Sequence, residues 1–342
     1  MSQDVSKPPP GLTAADEGRH ATPKGAEGLL FGDTLWVSVV DPKAGIFGVN
    51  HFHLTTSGYG RFETYYVIDG VQQSYGMRVP LDKEPDAGPW TDGRLTYEVV
   101  VPFEHIRITM DGPRYGFDLD FHARFQAFDY ADSVRGDPLA IAFPFHAGHF
   151  EQAMHCTGSF EIRGGPAKGE TRAIDCWSHR DHTWSDRFSD EPAWELGGGD
   201  FPAHFWPSIQ LPDKHINAFG FYFDSKMGET NEKCTLGGFV SDANGSRPLL
   251  NAAAEILDGT DGEMRKSKKF RYEFTMPDGE VIHVRSTAHY GQIKLWNRAD
   301  NELENRMDCY ESFVDYEVEE TGEVGTGVAE YSVYPPLPQW PV

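Results

Sequence analysis

The clearest regularity in the chain is an alternation of apolar and polar positions. Phe117, Leu119, Phe121, Ala123, Phe125 and Ala127 alternate with Asp118, Asp120, His122, Arg124 and Gln126, which gives a strand with one dry and one wet face. Runs of the same kind predict strands at Trp36 to Val40, Phe47 to Thr55, Phe62 to Ile68, Leu95 to Val101, His105 to Met110 and Phe150 to Ile162. Further runs follow at Phe205 to Leu211, Ile216 to Phe223, Phe270 to Met276, Val281 to Tyr290 and Tyr310 to Val318. Asp69-Gly70, Asp92-Gly93, Asp111-Gly112-Pro113, Asn244-Gly245 and Pro277-Asp278-Gly279 punctuate them as turns. Helical periodicity is confined to Pro248 to Leu257 and Arg298 to Arg306, both predicted as short helices. Many strands at near-regular spacing predict an all-β protein of large antiparallel sheets or barrels, and two such units suit the length.

Met1 to about Gly28 is rich in Pro, Lys, Asp and Gly without periodicity and reads as a flexible arm. Gly, Pro, Ser and Asp gather again at Ser185 to Asp200, which places a domain boundary there, with units over 29–190 and 191–338.

Composition narrows the partners. Across 342 residues, 30 Lys and Arg face 53 Asp and Glu, a net charge of −23, which repels phosphate backbones and anionic membrane surfaces. The dense basic run Arg265, Lys266, Lys268 and Lys269 reads as a solvated loop face, so no nucleic-acid or membrane partner is expected. With 8 Trp, 14 Tyr and 23 Phe the chain has ample material for a core and for an apolar pocket. No leader-like apolar segment and no run of roughly 18 apolar residues is present, so a cytoplasmic protein is expected. Cys156, Cys176, Cys234 and Cys309 lie far apart without a C-x-x-C pair and read as reduced thiols. Asn244-Gly245-Ser246 reads as a turn.

Several chemistries drop out. Gly197-Gly198-Gly199 has no strand-to-helix context for a dinucleotide, and no phosphate-binding loop or nucleophile elbow occurs. Tyr222 and Lys226 have the spacing of a dehydrogenase pair, but their surroundings alternate as a strand, so the match is chance. No cofactor is expected.

Histidines concentrate between Phe145 and Trp206, and the centre of that span reads Cys176-Trp177-Ser178-His179-Arg180-Asp181-His182-Thr183-Trp184-Ser185-Asp186-Arg187. On a strand, His179, Asp181 and Thr183 share one face while Arg180, His182 and Trp184 share the other. A carboxylate beside an imidazole fixes its tautomer and raises its basicity, so His179 or His182 is a candidate general acid or base, oriented by Asp181. Arg180 or Arg187 would stabilise a developing oxyanion. Trp177, Trp184 and Trp206 would form substrate walls, joined by Tyr65, His155, His204 and Tyr222, with Glu63 and Glu151 as further polar lining. The competing reading makes the same charges an ion-pair lattice that holds two sheets together. A metal is the other alternative, at His51 and His53, His146 and His149, or His179 and His182, but none of these spacings is a ligand signature and no metal is expected.

The segment His179 to Arg187 resembles the H-R-D-H-S-W-G-x-R signature of a bacterial subfamily related to hydroxyneurosporene synthase (carotenoid hydratase) and AttH-like proteins. Glu151 to Ser159 is similar to that family's E-Q-x-x-x-x-x-G segment, and Gly325-x-Gly327-x-x-Glu330-Tyr331 to its G-x-G-x-x-E-Y ending. The match spans about Gly28 to Pro338. Here Ser185 stands where Gly is usual, and Asp186 precedes Arg187. The resemblance implies two tandem lipocalin-like antiparallel β-barrels with a ligand pocket, and relatives that work on hydrophobic small molecules without a redox cofactor. It raises His179, Asp181, His182, Trp184 and Arg187 above their neighbours. The expected activity is a cofactor-independent lyase, hydratase or isomerase on a bulky hydrophobic or aromatic compound, releasing or adding water or releasing formaldehyde. The alternative is a non-catalytic lipocalin-like binding protein. A homodimer is compatible with either.

Overall fold

The computed structural model describes residues 5–27, 30–142, 145, 147–187, 203–222, 235–258, 268–295 and 308–333. Two antiparallel sheets, each curled into a lipocalin-like half-barrel, hold nearly all of their regular secondary structure. The first comprises β1 (Leu30–Asp41), β2 (Ile46–Thr55), β3 (Tyr59–Ile68), β4 (Val71–Pro80), β5 (Trp90–Thr91), β6 (Leu95–Val101), β7 (His105–Asp111), β8 (Tyr115–Ala123), β9 (Phe128–Asp129), β10 (Gly148–Ile162) and β11 (Thr171–Arg187). Their spatial order is β4-β3-β2-β1-β11-β10-β8-β7-β6-β5, with β9 beside β10. The second comprises β12 (Ala203–Gln210), β13 (Lys214–Tyr222), β14 (Thr235–Asp242), β15 (Gly245–Pro248), β16 (Asn251–Ile256), β17 (Phe270–Thr275), β18 (Val281–Lys294), β19 (Asp308–Val318) and β20 (Val324–Val333). Its order is β15-β14-β13-β12-β20-β19-β18-β17-β16.

The chain divides into two compact units, one of residues 1–129, 143–189 and 243–246, the other of 130–142, 190–242 and 247–342. In both sheets the first strand pairs with the last, β1 with β11 and β12 with β20, so one long-range pairing joins the two halves of each sheet and leaves β4 and β5, and β15 and β16, at the edges. Tight turns do the rest. At the β3–β4 hairpin Asp69 and Gly70 both take positive φ, the geometry for which Asp-Gly is suited.

The first core lies on the concave face and contains Leu35, Val37, Phe52, Phe62, Tyr66, Tyr97, Ile108, Leu119, Phe121, Met154 and Phe160. Tyr115, Phe117 and Phe160 stack in its centre, with the Tyr66 ring edge-on to Tyr115 and tilted against Phe160. The second core is built alike, from Phe205, Ile209, Val240, Phe270, Tyr272, Val314, Tyr316 and Tyr331. Strand β8 carries its apolar residues into the core and leaves Asp118 and His122 outside, as the alternation predicts. The Tyr222 position ends strand β13, which agrees with reading the dehydrogenase-like spacing as chance.

Two expectations fail. Residues 251–256 are strand β16, not a helix. The alanines favour a helix intrinsically, but Ala252 and Ala254 are buried in the second core and the segment pairs along its whole length with β17. Residues 5–27 also do more than a flexible arm would. Glu17, Arg19 and Ala26 are buried, and a single 3-10 turn (Ala14–Glu17) is closed by a Thr13–Asp16 capping box. The helix expected at Arg298 to Arg306 and the Ser185 to Asp200 boundary from residue 188 onward lie outside the described residues. Among the described residues no helix is long and apolar enough to cross a membrane. Cys156, Cys176 and Cys309 are free thiols.

Candidate functional site

Strand β11 carries the motif, and its pleat splits it. Arg180, His182 and Trp184 point to the concave side of the first sheet, while His179, Asp181 and Thr183 point to the opposite side. The residues expected to form one site therefore belong to two separate groups.

On the concave side, Arg180 is 1 % exposed at its side chain and is fully engaged. Its Nη1 and Nη2 donate to the two Glu17 oxygens at 2.7 Å each, and its Nε and Nη2 donate to Gln152 Oε1 at 3.0 and 2.6 Å. Gln152 in turn donates to the Phe103 and Phe125 carbonyls, and the Phe103 N–H donates to Glu17. Burial pushes the Glu17 carboxyl up, but the guanidinium and the Phe103 N–H outweigh it and hold the group below the usual range. Nearby, His182 Nε2 and His20 Nδ1 both approach Asp33 Oδ1, at 3.1 and 2.5 Å, and the His20 ring stacks on Trp184 at 4.1 Å. Trp184, Phe150, Phe103, Phe31 and Leu12 fill the space around them. Residues 12–20 thus strap one end of the half-barrel, and Arg180 has no free donor for an oxyanion.

On the other side, two rows of residues cross five strands in register. Glu63, His51, Trp36, Asp181 and Glu151 are successive partners across β3, β2, β1, β11 and β10. Arg61, His53, Thr34, Thr183 and His149 form the adjacent row. This convex face ought to be wet, as it is on β8, yet His51, Glu63, His149, Glu151 and His179 are all buried. Glu151 is the hub: His149 Nε2 lies 3.0 Å from its Oε1 and His179 Nε2 lies 2.5 Å from its Oε2. The same His149 nitrogen is 3.1 Å from Asp181 Oδ1, which also accepts a hydrogen bond from the Thr183 hydroxyl at 2.7 Å. The Ser38 hydroxyl accepts from the His179 N–H, and the Trp36 ring meets the His179 ring edge-on at 5.9 Å. At the far end of the row, Glu63 lies 3.2 Å from Arg61 and 3.8 Å from His51. Tyr65 sits on the same face and is buried.

The remaining expected residues scatter. Trp177 lies beneath the Arg124 guanidinium, and His155 bonds the exposed Asp175 at the surface. In the second unit, His204 lies 2.7 Å from Glu330 Oε1 and stacks on Phe219, and Trp206 is buried. The side chains of Arg187 and Tyr222, and residue His146, lie outside the described residues. Three groups bring ligand-type atoms within 4.8 Å of one another, namely His149, Glu151 and Asp181; His20, Asp33 and His182; and Cys309, Glu311 and Glu330. Trp36 in the convex patch, Glu17 and His20 in the strap, and Asp33 on β1 carry no sequence signal of their own. Only the β1–β11 register and the course of the strap bring them to the motif.

The fold has solved relatives. Kievitone hydratase from Nectria haematococca superposes with a TM-score of 0.58 at 16 % identity, covering 98 % of each chain. An AttH-type protein of Nitrosomonas europaea gives a TM-score of 0.59 at 13 % identity over 96 % of this chain and 100 % of its own. CghA gives 0.58 at 13 % identity over 97 % of this chain and 96 % of its own. A comparison with the curated proteins gives no sequence match. The family model described as a domain of unknown function, DUF7064, matches residues 13–335, and the chain belongs to that family.

Proposed function

We propose that the chain is an enzyme of the hydratase or lyase type, acting on a hydrophobic or aromatic small molecule through the buried convex patch of the first sheet. The observation that carries this reading is the Glu151 hub. Two imidazoles meet it at 2.5 and 3.0 Å, and a second carboxylate, Asp181, meets the His149 imidazole at 3.1 Å, on a face that a purely structural sheet would leave wet or apolar. Adding or removing water needs one group to deliver a proton and another to take one from water. His149, its Nε2 held between Glu151 and Asp181, can deliver a proton from Nδ1 when both nitrogens carry one. His179, its Nε2 on the other oxygen of the same carboxylate, can accept one at Nδ1. Trp36 and Tyr65 supply flat apolar surface for an aromatic or unsaturated substrate. The names of two similar folds, a hydratase that acts on kievitone and a CghA structure solved with Sch210972, support the choice of reaction class and of a small organic ligand.

The experiment is a mass-spectrometric screen of phenolic and isoprenoid compounds with the purified full chain, reading gain or loss of water and loss of formaldehyde. Turnover that His179→Gln and Glu151→Gln abolish supports the reading. Tight binding without any mass change, unaffected by those substitutions, replaces it with a carrier. Turnover that survives both moves the chemistry elsewhere.

A further inference from the structure

We infer that the strap carries a second, independent site, one that takes a first-row divalent transition metal such as zinc on His20, Asp33 and His182. These residues come from the strap, from β1 and from β11, and their ligand atoms lie within 4.8 Å of one another. His20 Nδ1 and His182 Nε2 approach the same Asp33 oxygen at 2.5 and 3.1 Å. Zinc bonds nitrogen and carboxylate oxygen at about 2.0–2.2 Å, so an ion seated where the two imidazoles now meet the carboxylate needs only small side-chain adjustments. Two imidazoles and one carboxylate form a donor set that suits zinc or iron and does not suit magnesium or calcium, which favour all-oxygen cages.

The surroundings fit a ligand role. The far nitrogen of His20, Nε2, faces Asp16 Oδ1 at 3.4 Å, the carboxylate-to-histidine arrangement that orients metal-bound imidazoles. Asp16 is itself pinned by hydrogen bonds from the Thr13 N–H and hydroxyl at 2.6 and 2.8 Å. The Trp184 ring lies flat against His20 at an interplanar angle of 8° and fixes the imidazole plane. Asp33 and His182 are 1 % exposed at their side chains, whereas His20 is 17 % exposed, so an ion would approach from the His20 side. The Cys309 group is less suited, because its two glutamates stand directly opposite each other with a single thiol. The Glu151 group is the proposed reaction centre.

Such a metal would clamp residues 13–20 onto the half-barrel, because one ligand lies on the strap and two on the sheet. The test uses the full chain, stripped with chelator and titrated with zinc chloride alone by calorimetry, with limited proteolysis of the strap as a second readout. The expected result is one zinc per chain and slower cleavage of the strap when zinc is present. Asp33→Asn and His20→Gln should each weaken binding at least about 100-fold, and Asp16→Asn about 10-fold, the size of effect an outer partner has. Asp16→Asn leaves all three ligands and the buried contacts in place, so it keeps the test decisive if the other variants fold poorly. No stoichiometric uptake by the parent chain overturns the proposal, as does equal zinc affinity in the parent and all three variants.

Discussion

The two faces of β11 make the most instructive contrast in the molecule. Alternate residues of one stretch, 179 to 184, serve opposite ends. Arg180, His182 and Trp184 are consumed by the strap and the barrel end, each held by groups that arrive from residues 12–33. His179 and Asp181 meet instead a carboxylate and an imidazole from β10 in a patch that is polar, buried and dense in proton-transfer groups. A motif that reads as one constellation in sequence is therefore two, because a strand turns successive side chains to opposite sides. The structural and catalytic readings of the motif do not compete; each belongs to one face.

That contrast is broken most directly on the convex side. His179→Gln or Glu151→Gln should lower turnover by about 100- to 10,000-fold, the range of general acid–base catalysis. The same variants should melt within a few degrees of the parent, as checked by thermal unfolding beside the product assay. A comparable loss from a concave-face variant that keeps the parent's stability would undo the division of labour.

The concave side predicts the reverse, a loss of stability first. Glu17→Gln leaves the Arg180 guanidinium buried without its counter-charge and should cost about 3–5 kcal/mol in denaturant unfolding. Replacing both partners, Glu17→Met with Arg180→Met, should recover most of that loss, since a buried ion pair is often no better than well-packed apolar side chains.

A smaller effect of the same pair is its acid limb. The Glu17 carboxyl is held below its ordinary value of 4.5 in the folded chain, so its contribution is present above that value and is lost as pH falls through the lowered one. Parent and Glu17→Gln stabilities should therefore converge in acid, which pH-dependent unfolding curves would show. At the bottom of the scale stands the solvent-facing pair of Arg271 and Glu319, at 2.8 Å in the second unit. Arg271→Ala should change stability by no more than about 1 kcal/mol, and a larger change would mean that charge placement matters even where water screens it.

Much of this was legible in the residues. The alternation locates most strands, and the period-two rule alone separates His179 and Asp181 from Arg180 and His182. What stayed hidden was register. Nothing in the order of residues says that Trp36 faces Asp181 or that Glu63, His51 and Glu151 fall in one row, because pairing between β1 and β11 joins segments about 145 positions apart. The strap was opaque for another reason. Its composition is that of a solvated arm, and only the buried Arg180 explains why Glu17 leaves water. The alanine run of β16 shows the same limit from the other side, since edge pairing and burial overrode an intrinsic preference.

The Glu17–Arg180 bond spans 163 positions, and this sets a schedule for synthesis. At about 5–20 residues per second the strap leaves the ribosome roughly 10–30 seconds before its arginine is made. During that interval β1 lacks β11 and the barrel end lacks its closure, so the nascent first unit presents an open sheet edge. Any partner that shields that edge, or any pause that lengthens the wait, would alter the yield of folded protein without touching a single contact in the finished one.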